Sequence, residues 1–165
     1  MCVPAYSSLE GDSMTDEYRI LATASRDLHD RGFLREQLAN RLALAIELHK
    51  RLVIVHGDCP TGGDKAADIW GKAQARQGMP VRVEAHPAKG HPTEDFGEWP
   101  WCGPERNKYM VGLGADECLA FIDRCTSLRC RRPDVHGSHG TIGCANLAEQ
   151  AGITVVRFEM WKETR

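Results

Sequence analysis

Short apolar runs alternate along this chain with segments of helical periodicity, and that alternation restricts the fold more than any other feature. The runs are Tyr18–Thr23, Leu52–His56, Val81–Ala85, Cys118–Ile122 and Ile153–Phe158. Several are rich in β-branched residues and bounded by turn residues, as buried strands are. From Phe33 to about Lys50, Leu34, Leu38, Leu42 and Ile46 recur every fourth residue and trace one face of an amphipathic helix. Further helices are expected from Asp64 to about Gln77, stopped by Gly78 with Pro80 beyond, from Pro104 to Val111, and from about Thr141 to Gln150, ended by Gly152. A helix between two strands carries the chain back to the edge where the first began, so successive strands run parallel. The expectation is an α/β fold: a single Rossmann-like, doubly wound domain with a mainly parallel sheet and helices on both faces.

At 165 residues the chain is long enough for one real core. Residues 1–17 mix Ser, Gly, Asp and Pro without periodicity and read as a flexible leader, leaving residues 18–165 as the domain. A formal charge of −2 gives no global reason to expect nucleic acid or an acidic membrane as a partner. No apolar run approaches membrane-spanning length, and the first residues lack the order of a signal peptide, so the expected location is cytoplasmic. Seven cysteines, an odd number, point to reduced thiols or a metal site before a disulfide framework.

The segment Leu52–Ala67 passes from a buried strand through Gly57-Asp58-Cys59-Pro60-Thr61-Gly62-Gly63 into a helix. Such a unit presents unpaired N–H groups and the positive end of the helix dipole, and its glycines allow a ligand close to the main chain. The Gly-Lys-Ser/Thr ending of a phosphate-binding Walker loop is absent, and so is the G-x-G-x-x-G fingerprint. Asp64 reads equally as an ordinary N-cap of the following helix. Ligands on parallel sheets gather at the carboxyl ends of the strands. Four segments fall at that edge: Ser25-Arg26, the Gly57–Asp64 turn, the stretch holding Arg106 and Asn107, and Ser138-His139-Gly140-Thr141.

Those segments, in that order, resemble the YpsA-like branch of the SLOG superfamily. These are Rossmann-type domains that include the Lonely Guy phosphoribohydrolases and the DNA-processing protein DprA. The resemblance covers roughly Tyr18 to Phe158, and its most specific part is the turn His56-Gly57-Asp58-Cys59-Pro60-Thr61-Gly62-Gly63-Asp64. It implies a nucleotide or nucleotide-derived ligand at the carboxyl edge, and pairing as a homodimer. The apolar face Leu34–Ile46, wider than one sheet face needs, adds to the expectation of a dimer.

Gly57, Gly62, Gly63, Gly140 and Thr141 would approach phosphates through the main chain. Arg26 and Arg106 would add charge, and Asp58 or Asp64 would take ribose hydroxyls. Ser25, Pro60, Thr61, Asn107 and Ser138 complete the expected lining. Catalysis is less well supported. The paired glutamates of the Lonely Guy loop Pro-Gly-Gly-x-Gly-Thr-x-Glu-Glu are replaced here by Gly143 and Cys144. An oxocarbenium-like state needs a nearby carboxylate, and only Asp58 or Asp64 is placed to supply one, with Arg106 on the phosphate. A phosphoribohydrolase-like enzyme is therefore the alternative to a binding protein, and a DprA-like nucleic-acid-handling protein is a second.

Two more features call for an explanation. Cys125, Cys130, His136 and His139 supply four zinc-competent ligands within a long connection, so a structural zinc would explain how that loop stays ordered. Arg124, Arg129, Arg131 and Arg132 make the same loop basic, either as a solvated surface or as a contact for nucleic acid or a second phosphate. Trp99 and Trp101, on either side of Pro100, either stack on a base or cover core beneath a long loop.

Overall fold

The computed structural model describes residues 16–162. The expected leader lies outside the described residues except for Asp16 and Glu17, and Glu17 already opens the first strand. The elements are β1 (Glu17–Ala24), α1 (Arg31–Glu47), β2 (Arg51–His56), α2 (Gly62–Arg76), β3 (Val81–Ala85), α3 (Cys102–Gly112), β4 (Glu117–Ile122), α4 (His139–Gln150) and β5 (Thr154–Glu159), followed by a 3₁₀ turn over Met160–Lys162. The sheet order is β3-β2-β1-β4-β5 and every pairing is parallel. Ile20 lies level with Ile54 on β2 and Glu117 on β4, which sets the register across the centre of the sheet.

The central strands are apolar without a break because both faces are covered. Along β1, β2 and β4 successive side chains alternate between two layers. Ile20, Leu52, Ile54, Leu119 and Phe121 pack with Leu34, Leu38 and Leu42 of α1 and Ala67 of α2. Leu21, Val53, Val55 and Cys118 pack with Met110 and Val111 of α3 and Cys144 and Ala148 of α4. Burying one such leucine stabilises the fold by roughly 1.5–3 kcal/mol. Phe33, Phe121 and Phe158 close the first layer, with ring centroids 4.9 Å apart for the stacked pair Phe121–Phe158.

Local chemistry sets the ends of the helices. Asp30 caps α1 by accepting the Phe33 N–H at 2.8 Å. Gly78 and Gly152, with φ of 81° and 80°, let the chain turn after α2 and α4 without a Cβ penalty. The apolar stripe of α1 is largely consumed within the chain. Leu34, Leu38 and Leu42 are buried against the sheet, and Ile46 remains 38% exposed. That stripe therefore offers little support for a dimer surface. Glu84 of β3 is held between Arg19 (2.7 Å) and Arg82, and Glu117, at the start of β4, pairs with Arg41 at 2.9 Å.

Candidate functional site

β1 and β4 are neighbours, yet β1 leads to α1 on one face and β4 leads to α4 on the other. The chain therefore parts at their carboxyl ends, which is where open parallel sheets hold ligands. Asp123, just past β4, organises this switch point. Its backbone N–H donates to Ser25 Oγ at 2.9 Å, and its carbonyl accepts the Ser138 N–H at 2.9 Å. Its carboxylate takes the N–H of His29 at 3.0 Å, the His29 ring Nδ1 at 2.5 Å and the N–H of Arg124 at 2.8 Å. Burial opposes the charge on Asp123, but these donors outweigh it and hold the carboxyl below its ordinary range. Neither Asp123 nor His29 was a sequence-level candidate; an aspartate ending an apolar strand beside the switch point was the available signal.

The glycine turn after β2 is built on a buried histidine. His56 Nδ1 accepts the Asp58 N–H at 3.0 Å, which places the ring proton on Nε2, 3.2 Å from Asp68 Oδ1. Asp68 in turn is gripped by Lys72 at 2.8 Å. Asp58 sits at φ 52°, a left-handed conformation that aspartate tolerates. Asp64 is not the N-cap of α2: the helix opens at Gly62 after Thr61, and the Asp64 carboxylate folds back to accept the Cys59 N–H at 3.3 Å. Burial raises the proton affinity of Asp64, against the pull of His56, the N–H groups of Cys59 and Gly57, and Arg106.

Three of the expected ligand glycines are packing glycines. A Cβ on Gly57 would fall on the Arg106 guanidinium, 2.6 Å from Nη2. On Gly62, at φ 69°, it would lie 2.5 Å from the Ser25 carbonyl oxygen and closer still to that of Arg26. On Gly63 it would run into Ala24 Cβ. A side chain at Gly62 would thus strike the β1 loop, so packing alone requires glycine there. Arg106 is likewise committed: Nη1 donates to the carbonyls of Gly57 and His86 (2.9 Å to the latter), and Nε to Asn107 Oδ1 at 2.9 Å. Nη2 is its remaining donor among the described residues.

The expected residues converge, but in different roles. Ser25, Gly57, Gly62, Gly63, Asp64 and Thr141 are buried and form the floor. Arg106, Asn107 and Ser138 are half-buried, with Ser138 Oγ 2.8 Å from Thr141 Oγ1. Arg26, Asp58, Pro60, Thr61 and Gly140 are exposed at the rim. A Cβ on Gly140 would meet nothing within 4 Å, so the first turn of α4 stays open to an approaching group.

The loop between β4 and α4 gathers Cys125, Cys130, His136 and His139 so that one ligand atom from each lies within 4.8 Å of the others. Cys130 Sγ is 3.3 Å from His136 Nε2 and 3.2 Å from His139 Nε2, and those two nitrogens are 3.1 Å apart. A tetrahedral zinc with sulfur near 2.3 Å and nitrogen near 2.0–2.1 Å separates its ligands by about 3.3–3.8 Å, close to this spacing. His136 Nδ1 lies 2.7 Å from the Asp134 carbonyl, a contact that fixes the ring with Nε2 facing the cluster. The cluster can hold a metal ion. The loop is also pinned at its base by the Arg124–Gly137 bridge and by the Cys125 N–H donating to the His136 carbonyl at 2.8 Å.

The β3–α3 connection is ordered by aromatic packing. His86 stacks on His91 with centroids 5.2 Å apart, and Tyr109 and Phe96 close around them. Burial, then the neighbouring His91, depress the His86 pKa. Trp99 and Trp101 do not cover core; they are 58% and 70% exposed. Among the described residues no helix is long and apolar enough to cross a membrane.

No family model matches the chain. Over 147 residues it is 35% identical to the Gene 61 protein of Mycobacterium phage D29, an alignment covering 85% of this chain and 95% of that protein. The chain belongs to the family of that phage protein. The match spans nearly all of the Gene 61 protein. The relative's name states no activity.

Proposed function

We propose that this protein binds a nucleotide or a nucleotide-derived small molecule at the carboxyl edge of its sheet, as a sensor or a sequestering protein. The observation that carries the reading is the switch point between β1 and β4, flanked by the first turns of α2 and α4. The first turn of α4, left open at Gly140, and the half-buried Arg106 guanidinium lie along this edge and suit an anionic group. The resemblance to YpsA-like SLOG domains favours the same ligand class. Binding is preferred to hydrolysis of an N-glycosidic bond because Asp64 spends its oxygens on its own turn and Asp58 lies on the exposed rim.

The reading includes a structural zinc on Cys125, Cys130, His136 and His139. The donor set supports it: two thiolates balance the ion's charge, two imidazoles complete four-coordination, and a closed set of four protein ligands leaves no position for a substrate. Mass spectrometry of small molecules released from natively purified protein, followed by calorimetry with the nucleotide found, tests the ligand. Elemental analysis without chelator tests the metal. Absence of any nucleotide-class compound, together with no saturable binding of adenosine or guanosine mono- and diphosphates, refutes the first; well under one zinc per chain refutes the second.

A further inference from the structure

The surface outside the crevice carries a second binding feature that the nucleotide reading leaves unused. Arg129 of the β4–α4 loop lays its guanidinium over the Trp99 ring, 4.0 Å from the centroid. This contact joins two loops that leave non-adjacent strands, β3 and β4, and makes one surface of their side chains. On one side stand Trp99 and Trp101, 58% and 70% exposed. On the other stands Arg129, and Arg124 and Arg131 of the same loop are exposed as well. Arg132 is matched by Asp134 at 2.6 Å, and no other acid lies between Arg124 and His136. Three arginine charges in this loop are therefore uncompensated by it.

Both loops hold their shape. The Trp101 and Cys102 N–H groups donate to the Glu98 carbonyl at 2.9 and 3.1 Å, and Lys89 braces the turn by donating to the Gly97 carbonyl at 2.6 Å. The basic loop is closed at its base by the Arg124–Gly137 bridge and the Cys125 N–H donating to the His136 carbonyl. A displayed indole beside a stacked guanidinium is costly to leave facing water and suits a partner with aromatic faces and a regularly charged backbone.

We infer that this Trp–Arg surface binds single-stranded nucleic acid, with Trp101 stacking on an unpaired base and Arg124, Arg129 and Arg131 taking successive phosphates. A single strand is favoured over a duplex because the surface is made of loops, with no helix displayed for a major groove, and because stacking needs bases that are free of partners. The net charge of −2 is no objection, since phosphates near the patch respond to the local charge within a Debye length.

The inference stands apart from the crevice, and its test uses the full chain as purified without chelator. Fluorescence anisotropy follows an oligothymidylate of roughly 20 nucleotides while indole emission reports stacking. Three phosphate contacts on a single strand give a slope of log K against log salt of about −2, or roughly a 20-fold loss of affinity for a fourfold rise in salt. Trp101→Ala is expected to weaken binding about tenfold and abolish most of the quenching, Trp101→Phe to retain binding, and Arg129→Ala with Arg131→Ala to bring the slope to about −0.7. Thermal melts check that each variant is folded, and Trp101 is exposed enough for its replacement to leave the core alone. The inference is overturned by no saturable binding at low salt, by wild-type affinity in Trp101→Ala, or by a duplex or a polyglutamate binding as tightly as the single strand. Nucleotide binding in the crevice should survive Trp101→Ala, so failure of either proposal is visible separately.

Discussion

The glycines of the crevice divide into those that pack and one that is open, and alanine substitution separates them. Gly62 has φ 69° and a Cβ there would sit 2.5 Å from the Ser25 carbonyl oxygen. A non-glycine residue in the left-handed region costs roughly 1–2 kcal/mol, and forcing a methyl group into a filled position adds about 1–3 kcal/mol, so Gly62→Ala should lose about 2–5 kcal/mol. Gly78 supplies the control. Its φ is 81° but nothing lies within 4 Å of its Cβ position, so Gly78→Ala should lose only the conformational part, about 1–2 kcal/mol. Gly140 is helical, at the start of α4, with nothing near its Cβ position. Gly140→Ala should be neutral or stabilising by up to about 1 kcal/mol. Urea unfolding followed by circular dichroism measures all three. A Gly62→Ala cost within experimental error of Gly78→Ala would refute the claim that Gly62 is fixed by the β1 loop. The same set tests the ligand site: Gly140→Ala, though folded, should lower nucleotide affinity.

Arg106→Ala should lower both nucleotide affinity and stability, the latter by about 1–3 kcal/mol, because the carbonyls of Gly57 and His86 lose their donor; a calorimetric loss of affinity with an unchanged unfolding midpoint would contradict that double role. Cys130→Ser should reduce bound zinc far below one per chain and, like chelation, expose the 123–139 loop to protease while the sheet melts cooperatively on its own core, as limited proteolysis and thermal melts can establish. Glu84, drawn down to about 2 by Arg19 with Arg82 beyond the cost of its burial, contributes stability that is complete above about 4.5 and is lost as pH falls towards 2. Glu84→Gln should therefore cost about 1–2 kcal/mol at neutral pH after solvent screening, with the difference from wild type closing in acid unfolding experiments. The depressed pKa of His86 acts in the same direction, favouring the folded state above its ordinary value and withdrawing that support as pH falls further; His86→Phe should flatten the mildly acidic limb of the stability curve.

Much of the fold was legible because its signals are local. Leu34, Leu38 and Leu42 mark the buried face of α1, and β2, β3 and β4 match their expected runs to within a residue. The four site segments were legible as well, since each follows a strand and parallel strands share one carboxyl edge. The members of the Cys/His cluster could be named from residue type, but their convergence could not, because Cys125 and His139 meet only once the Arg124–Gly137 bridge closes the loop. Asp64 reads as a cap because the start of a helix is known from sequence only to within a turn: the helix opens two residues earlier, at Gly62, and Thr61 stands in the cap position.

Pattern alone determined the parallel α/β class, the order of strands and helices, and which loops share the carboxyl edge, since periodicity and turn residues act within a few positions of one another. Only the tertiary structure decided what each polar group is spent on. Arg106 lies across Gly57, 49 residues away, Ser25 is tied to Asp123, and Arg129 reaches Trp99 from a loop leaving another strand. Those partners are chosen by sheet order and helix packing, and a side chain's contribution to a site is what remains after its long-range neighbours have taken their share.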